Sequence, residues 1–312
     1  MKDDNIRAAL FMMAGTGAYT INDVFLRLLG AELPMFQILV LRGVIVTAFF
    51  AALLWRVRAE LGNLTKRDHV LVAIRSASEA AAAYFFLLAL FNMPIANLTA
   101  ILQVIPLSVA LAAYLVLGEP LGWRRMSAIL IGFCGVLLIV RPGAESFNIY
   151  AISALMSVAM ITIRDLTTRM LGRSMPSVFV ACSAALGVTL FGVAGSVTET
   201  WAMPTVWGLF WLAGATGFII LGYIFVILAM RTGELTFAAP FRYAALLFAL
   251  VAGWLVFDEW PDALTFLGSG VIVATGIYTL YRERQMRLAV ATASIIPTPV
   301  DKPGDSPYTP RT

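Results

Sequence analysis

The chain has 312 residues, of which 60% are apolar and only 13% are charged, and its mean hydropathy is +0.87. Soluble domains contain about 45–50% apolar and about 25% charged residues, and uncharged apolar runs of about 18 residues or more are typical of membrane-spanning helices. The composition therefore excludes an ordinary soluble domain and predicts an all-α protein embedded in a lipid bilayer. In such a protein the net charge of +4 reports orientation, so no nucleic-acid partner is expected.

Ten apolar segments, numbered here as spans 1 to 10, follow one another along the chain. They cover residues 8–29, 35–55, 69–91, 95–117, 124–140, 148–171, 177–198, 204–230, 235–257 and 262–281. Proline and glycine, which interrupt helices, punctuate several of the gaps between them. After span 10 the chain becomes rich in Pro, Thr and Ser, so we expect residues 285–312 to form a disordered cytoplasmic tail.

The positions of the Lys and Arg residues predict the topology. With a cytoplasmic N-terminus, 16 of the 22 Lys and Arg residues fall in cytoplasmic loops or tails, two (Arg27 and Arg141) fall outside, and four lie within spans. Positive charge is enriched in the cytoplasmic loops of membrane proteins. The distribution therefore predicts that both termini are cytoplasmic, which requires an even number of spans. The expected location is the plasma membrane, in a bacterium the inner membrane.

Residues 20–30 recur in altered form at 162–172, with the pattern T-I-x-D-x-x-x-R-x-L-G kept at an offset of 142 residues, and Pro34 and Pro176 share this offset. The chain is therefore predicted to be duplicated, with one five-span repeat in residues 1–143 and a second in residues 144–284. Because five is odd, the second repeat must cross the membrane in the opposite sense. Inverted repeats of this kind enclose the substrate site of carriers near the bilayer midplane.

Two turns and two glycines point to a family. Span 4 ends in Gly118-Glu119-Pro120, span 9 ends in Asp258-Glu259-Trp260, and Gly135 and Gly276 follow these turns in spans 5 and 10. Together with the five-plus-five layout, these features resemble the drug/metabolite transporter superfamily, EamA type, over about residues 8–282. The resemblance implies a secondary carrier, often an exporter of amino acids or related metabolites, with a central cavity lined by spans 1, 3, 4, 6, 8 and 9.

Charged residues inside the spans suggest two ion pairs, because a charge at the bilayer centre costs at least about 2.5–3.5 kcal/mol and is normally paired or faces water. By depth, Asp23 and Arg42 fall in the outer half of spans 1 and 2. Asp165 and Arg242 fall in the inner half of spans 6 and 9. Each pair is a candidate gate at one mouth of the carrier. The alternative, that each pair statically holds two helices together, stays open.

Polar residues within the spans are candidates for the substrate path. Glu79 lies near the midplane of span 3, where it can bind a substrate amine or carry a coupling proton, and Arg75, one turn before it, can instead neutralise it. Arg242 can bind a substrate carboxylate, because its guanidinium fork matches carboxylate geometry. The remaining path candidates are Asn22, Tyr84, Gln103, Arg164, Tyr223 and Tyr243. For the aromatic residues among them, simple packing is the alternative.

No set of residues indicates catalysis or a cofactor. The chain has one histidine, two well-separated cysteines and no P-loop motif, so neither a metal, another cofactor nor enzyme activity is expected. The spans hold four arginines against three carboxylates, a net +1 that favours a substrate with a carboxylate.

We therefore predict a secondary transporter that moves amino acids or related small metabolites across the plasma membrane by alternating access, as an exporter. One alternative is an uptake carrier for S-adenosylmethionine or another nucleoside-linked metabolite. Alternatives of another class are a non-transporting membrane scaffold and a membrane-embedded enzyme. A homodimer is also considered.

Overall fold

The computed structural model describes residues 2–57, 65–142, 148–171, 175–232 and 235–293, and in these ranges the chain is helical with no β-strand. Their α-helices are α1 Lys2–Gly30, α2 Met35–Val57, α3 Lys66–Asn92, α4 Ile95–Leu102, α5 Ile105–Leu117, α6 Trp123–Val140, α7 Tyr150–Met170, α8 Ser177–Gly195, α9 Val206–Thr232, α10 Leu235–Ala238, α11 Ala244–Phe257 and α12 Ala263–Ala293. Two 3₁₀ segments, Ser196–Thr198 and Ala239–Tyr243, follow α8 and connect α10 to α11.

The helix boundaries follow the local sequence. Pro94 and Pro176 immediately precede α4 and α8, because proline is compatible with a helix start but cannot sit in a helix interior without breaking the ladder. The caps after α5, α6 and α11 have left-handed backbone, at Gly118 (φ 67°), Arg141 (φ 50°) and Asp258 (φ 54°). Glycine adopts this conformation without strain, and aspartate tolerates it better than most residues. The turns after spans 4 and 9 therefore stop their helices in the same way.

The described residues contain nine helical segments long and apolar enough to cross a membrane, which confirms the predicted membrane class. They are α2, α3, α4 together with α5, α6, α7, α8, α9, Ala239–Phe257 and the Ala263–Arg282 part of α12. The 29-residue α1 is also long enough to span a bilayer. It falls outside the nine and carries Asn22 and Asp23 within its apolar stretch.

Spans 4 and 9 contain breaks that their single predicted ranges did not include. α4 ends at Leu102, and α5 begins at Ile105 with Pro106 in its first turn. In span 9, α10 ends at Ala238 and is followed by the 3₁₀ segment Ala239–Tyr243, which has Pro240 near its start. Proline lacks an N–H donor and its ring clashes with the preceding turn, so it interrupts the helical ladder at both places. Such breaks within a membrane are tolerated where other protein groups satisfy the backbone.

At the C-terminal end, α12 continues to Ala293. Residues 285–293, which the sequence assigned to the disordered tail, are therefore helical, and this stretch is rich in the helix-forming residues Ala, Leu, Met, Gln and Arg. The rest of the predicted tail, 294–312, lies outside the described residues. The predicted boundary between the two repeats, at 143/144, also falls in a part of the chain that is not described.

Several contacts between helices of the first half and helices of the second half shape the bundle. Five of them join α1 to α9, α3 to α7, α2 to α8, α6 to α12, and α4 to α11. α6 and α12 come together at Gly135 and Gly268, where a Cβ on either residue would meet the backbone carbonyl oxygen of the other. Small residues of this kind let helix backbones approach closely in a bilayer. Trp55, at 85% exposure, and Leu115, at 69%, point away from the bundle, as expected for lipid-facing side chains.

Candidate functional site

A cavity of about 440 Å³ lies between α2, α3, α8 and α9. Most of its wall is apolar, and Phe50 and Tyr223 place aromatic rings on it. Its charged members are Arg42 from α2 and Arg75 and Glu79 from α3. Ligand sites in proteins are usually concave and apolar, with a few polar groups that fix orientation. This cavity has that composition and is the candidate functional site.

The four helices around the cavity correspond to spans 2, 3, 7 and 8. The family resemblance implied lining by spans 1, 3, 4, 6, 8 and 9, so only spans 3 and 8 agree. α2 and α8, which are spans 2 and 7, do not belong to the implied set. They pack against each other, and both line the cavity. The signal in the sequence was Arg42 itself, since an arginine inside a span seldom faces lipid.

Glu79 is the centre of a charged cluster beside the cavity. Its Oε1 lies 3.2 Å from Nη1 of Arg164 on α7, and its Oε2 lies 3.7 Å from Nη2 of Arg75. Arg164 Nε also donates to Oδ1 of its neighbour Asp165 at 2.8 Å. The predicted Arg75–Glu79 pair is thus confirmed, and Glu79 has a second partner that the sequence did not identify. Charges held in an apolar interior are normally paired in this way.

All three guanidinium nitrogens of Arg75 have protein partners. Nε donates to Thr168 Oγ1 at 2.9 Å, Nη1 donates to the Val180 carbonyl oxygen at 3.5 Å, and Nη2 faces Glu79. These contacts tie α3 to α7 and α8. Arg75 therefore holds the cluster in place, and its side chain is only 15% exposed.

Arg42 has a different environment. Its Nη2 donates to Asn22 Oδ1 at 3.2 Å, and Asn22 Nδ2 in turn donates to Asp23 Oδ1 at 2.8 Å. The predicted Asp23–Arg42 pair is therefore replaced by a relay through Asn22. Asn22 is adjacent to Asp23 in sequence and is 3% exposed, so its buried amide links the two charged groups.

The second predicted pair, Asp165–Arg242, was wrong in its partner. Asp165 pairs with Arg164, which is next to it in the chain. Arg242 lies in the 3₁₀ segment before α11. Its carbonyl oxygen accepts a hydrogen bond from Gln103 Nε2 at 3.3 Å, which links the breaks in spans 4 and 9. Because the helix is interrupted before Arg242, the regular spacing of a continuous helix does not predict where its side chain lies.

The three candidate tyrosines separate in the structure. Tyr223 lines the cavity. Tyr84 stacks on Phe36 with ring centroids 5.7 Å apart and does not belong to the cavity wall. Tyr243 is 6% exposed, and its hydroxyl occupies the space above Gly276 of α12. Tyr84 and Tyr243 therefore make packing contacts in this structure, and their place on a substrate path stays a prediction.

Two further ion pairs connect the halves of the chain near the helix ends. Arg27, at the end of α1, holds Glu259 with Nη2–Oε1 and Nη1–Oε2 distances of 2.5 and 2.8 Å. Arg169, at the end of α7, lies 3.5 Å from Glu119. The two arginines occupy the same position of the duplicated motif, and the two glutamates occupy the two turns. The sequence contained this signal, but it did not indicate the pairing.

Comparison with known proteins identifies relatives of the chain. The profile of the EamA-like transporter family matches residues 6–141. An S-adenosylmethionine uptake transporter of Rickettsia conorii is 28% identical over 197 residues, which cover 62% of this chain and 65% of that protein, so less than two thirds of that relative's length is matched. The pseudopaline exporter CntI of Pseudomonas aeruginosa is 25% identical over 287 residues, covering 88% of this chain and 96% of that one.

A riboflavin transporter of Vibrio cholerae is 30% identical over 187 residues, covering 59% of this chain and 61% of that protein. One solved crystal structure superposes with a TM-score of 0.61, covering 89% of this chain and 98% of that chain. At 17% identity, this likeness shows a shared fold alone. The three named relatives are transporters of different solutes, and two of the names state opposite directions, uptake for S-adenosylmethionine and export for pseudopaline.

Proposed function

Since the chain belongs to the drug/metabolite transporter superfamily, we propose that it is a secondary carrier that works by alternating access. Its substrates are amino acids or related small metabolites, and it exports them across the bacterial inner membrane. It is a multi-pass membrane protein and not an enzyme. α1 is the tenth span, and both termini are cytoplasmic.

The helix contacts support an inverted repeat of five and five spans. Each span of one repeat has its counterpart five spans away in the other repeat. Span 1 contacts span 8 (α1 with α9), and their counterparts, spans 6 and 3, are also in contact (α7 with α3). The contacts between spans 2 and 7, 5 and 10, and 4 and 9 map onto themselves. Such exchange is expected of two equivalent halves related by a two-fold axis, the arrangement of many carriers.

The two ion pairs near the helix ends support alternating access. Each joins an arginine of one repeat to a glutamate of the other, and in the proposed topology they lie at opposite mouths. The Arg27 and Glu259 side chains are 17% and 20% exposed, whereas those of Arg169 and Glu119 are 50% and 54% exposed. We therefore assign the gates to these pairs instead of Asp23–Arg42 and Asp165–Arg242, with the outer gate closed and the inner gate loosened.

The cavity carries the proposal for the substrate. Two arginines and one glutamate on its wall leave one net positive charge, which favours a ligand with a carboxylate. The names of the relatives support two directions of transport, export and uptake. Export is favoured by the likeness to the pseudopaline exporter, which extends over 88% of the chain. Uptake of S-adenosylmethionine is the second candidate, because the Rickettsia relatives named for it match 62% of the chain.

Counterflow in proteoliposomes tests the function. Vesicles that contain the full chain are loaded with unlabelled L-methionine, L-phenylalanine, S-adenosylmethionine or riboflavin, and entry of the same labelled compound is measured. We expect transient accumulation of at least one of these solutes and none in vesicles prepared with heat-denatured protein. A reporter epitope inserted at residues 143–147 should be accessible from outside intact cells. Accumulation of no solute under any gradient contradicts the carrier, and a cytoplasmic epitope contradicts the inverted repeat.

A further inference from the structure

We propose that Arg42 is the residue that binds the substrate, and that it binds a carboxylate group on a solute whose remainder is apolar or aromatic. This inference rests on the proposed carrier function and names the chemical class that the cavity accepts. It differs from the sequence-based assignment, which gave carboxylate binding to Arg242.

The hydrogen-bond partners of the cavity arginines distinguish their roles. A guanidinium has five N–H donors in a planar fork. In Arg75 all three nitrogens have partners, so its fork is occupied by the protein itself. Among the described residues, the guanidinium group of Arg42 forms one hydrogen bond, to Asn22, and no carboxylate there forms an ion pair with Arg42. Arg42 thus keeps an edge of its fork for a ligand.

The protein compensates the charge of Arg42 only in part. Asp23, which lies beyond Asn22, acts on it electrostatically, but no carboxylate among the described residues lies within ion-pair distance of its guanidinium group. The cavity around Arg42 is lined mainly by apolar side chains, and a charged group in such surroundings loses hydration that one bond to an amide replaces only in part. A carboxylate ligand supplies two parallel, charge-assisted hydrogen bonds and neutralises the charge. The binding energy of a carboxylate here therefore includes the relief of an existing desolvation penalty.

The internal duplication gives an independent argument. The counterpart of Arg42 in the second repeat is Ala184, and both residues line the same cavity. If the fold required an arginine at this position, both halves would need one. From this pair of equivalent positions the cavity instead receives one guanidinium group, that of Arg42, which makes the two walls of the site different.

The rest of the wall defines the remainder of the ligand. Tyr223 of α9 and Phe50 of α2 form an edge-on pair, with ring centroids 6.4 Å apart. Both lie in the cavity with Arg42. Glu79 on the opposite helix is already held by two arginines, so an amino group on the ligand gains less there than the carboxylate gains at Arg42. Recognition should therefore depend on the carboxylate more than on the amine.

Paired ligands test this inference. Counterflow and its inhibition are measured with L-methionine, L-phenylalanine and S-adenosylmethionine, each against its carboxamide, and with riboflavin as a solute without a carboxylate. We expect the wild-type protein to prefer the carboxylate form of its substrate by at least about tenfold, which corresponds to about 1.4 kcal/mol. Arg42→Gln should raise KM by a similar factor and abolish the preference, and Arg42→Lys should lie in between.

Arg242→Gln is the matched control, since it removes the same charge outside the cavity and should preserve the preference. Equal transport of acids and carboxamides by the wild type, or an Arg42→Gln protein that keeps the preference, overturns the inference. Loss of the preference in Arg242→Gln alone also overturns it. If riboflavin is transported but none of the acids is, the proposed substrate class is wrong and the carrier function is still supported. If no solute is transported, both the substrate class and the carrier function are contradicted. If Arg42→Gln does not fold, Arg42→Lys, which keeps the charge, decides the outcome.

Discussion

Arg27 and Glu259, separated by 232 positions in the chain, form a two-bonded ion pair between the ends of α1 and α11. Glu259 Oε2 also accepts a hydrogen bond from the Ile95 backbone N–H at 3.2 Å, at the start of α4. The Arg27 guanidinium lies over the Phe257 ring, 4.4 Å from its centroid. Three helices of both halves therefore meet at one glutamate, whereas the equivalent Arg169–Glu119 pair is longer and half exposed.

Glu259→Gln should open the mouth at this end of the bundle. The change keeps the shape but removes the charge, and hydrogen bonds to charged groups contribute about 1.5–3 kcal/mol, enough to shift a two-state equilibrium by on the order of tenfold or more. The measurement is external labelling of a cavity cysteine, Ala83→Cys, by a membrane-impermeant maleimide in a chain lacking Cys134 and Cys182. Labelling should rise with Glu259→Gln.

Glu119→Gln is the control for this experiment, because it removes the same charge from the more exposed pair. It should not raise external labelling. If both variants raise labelling equally, or if neither does, the two pairs do not act as opposing gates.

Glu79→Gln should destabilise the folded protein. Arg75 and Arg164 would lose their shared counter-ion in a largely buried place, and removing one partner of a buried pair costs about 3–5 kcal/mol, less here because the side chains are 15–26% exposed. Thermal unfolding in detergent measures the loss. In a double-mutant cycle with Arg164→Gln, the two effects should be non-additive by at least about 1 kcal/mol. Additive effects would mean that the observed pair contributes nothing to stability.

Gly276→Ala should destabilise the contact between α12 and the start of α11. A Cβ at residue 276 would overlap with the hydroxyl group of Tyr243, and overpacking of this kind costs about 1–3 kcal/mol. Gly270→Ala, in the same helix with open space around the added carbon, is the matched control and should leave the melting temperature nearly unchanged.

Tyr243→Phe should rescue Gly276→Ala, because it removes the obstructing oxygen. The hydroxyl is buried and has no hydrogen-bond partner among the described residues, so its removal by itself should cost little. A double variant as unstable as Gly276→Ala would show that the overlap is not the cause.

The Arg141–Asp262 ion pair beside the start of α12 should make stability depend on pH in the acid range. The hydrogen bond from Arg141 holds the pKa of the Asp262 carboxyl below its usual range, and the Thr265 N–H adds to the effect. For a lowered pKa, the stabilisation is fully present above the unfolded value of about 3.9 and is lost as pH falls through the folded value. Asp262→Asn should therefore lower the melting temperature at pH 6, with a difference that shrinks towards pH 3. A difference independent of pH would contradict this origin.

Much of the fold could be predicted because its determinants are local in the chain. Apolar runs predicted the membrane helices, and the spacing of Arg75 and Glu79 by four residues predicted their contact on one face of α3. Tertiary pairings were harder. Glu79 was recognised as a site residue, but Arg164 was not recognised as its partner, because their meeting depends on how α3 and α7 are rotated against one another.

From the sequence alone we predicted a membrane protein with ten apolar segments, an internal duplication, and charges inside the spans that a bilayer does not tolerate unpaired. These properties follow from composition and from periodicities within single helices. The three-dimensional contacts were needed to show that Asn22 lies between Arg42 and Asp23, that Asp165 pairs with Arg164, and that Arg42 lines a cavity. Each residue along a helix turns the side chain by about 100°. Small changes in helix rotation, and the breaks at Pro106 and Pro240, therefore decide which charges meet.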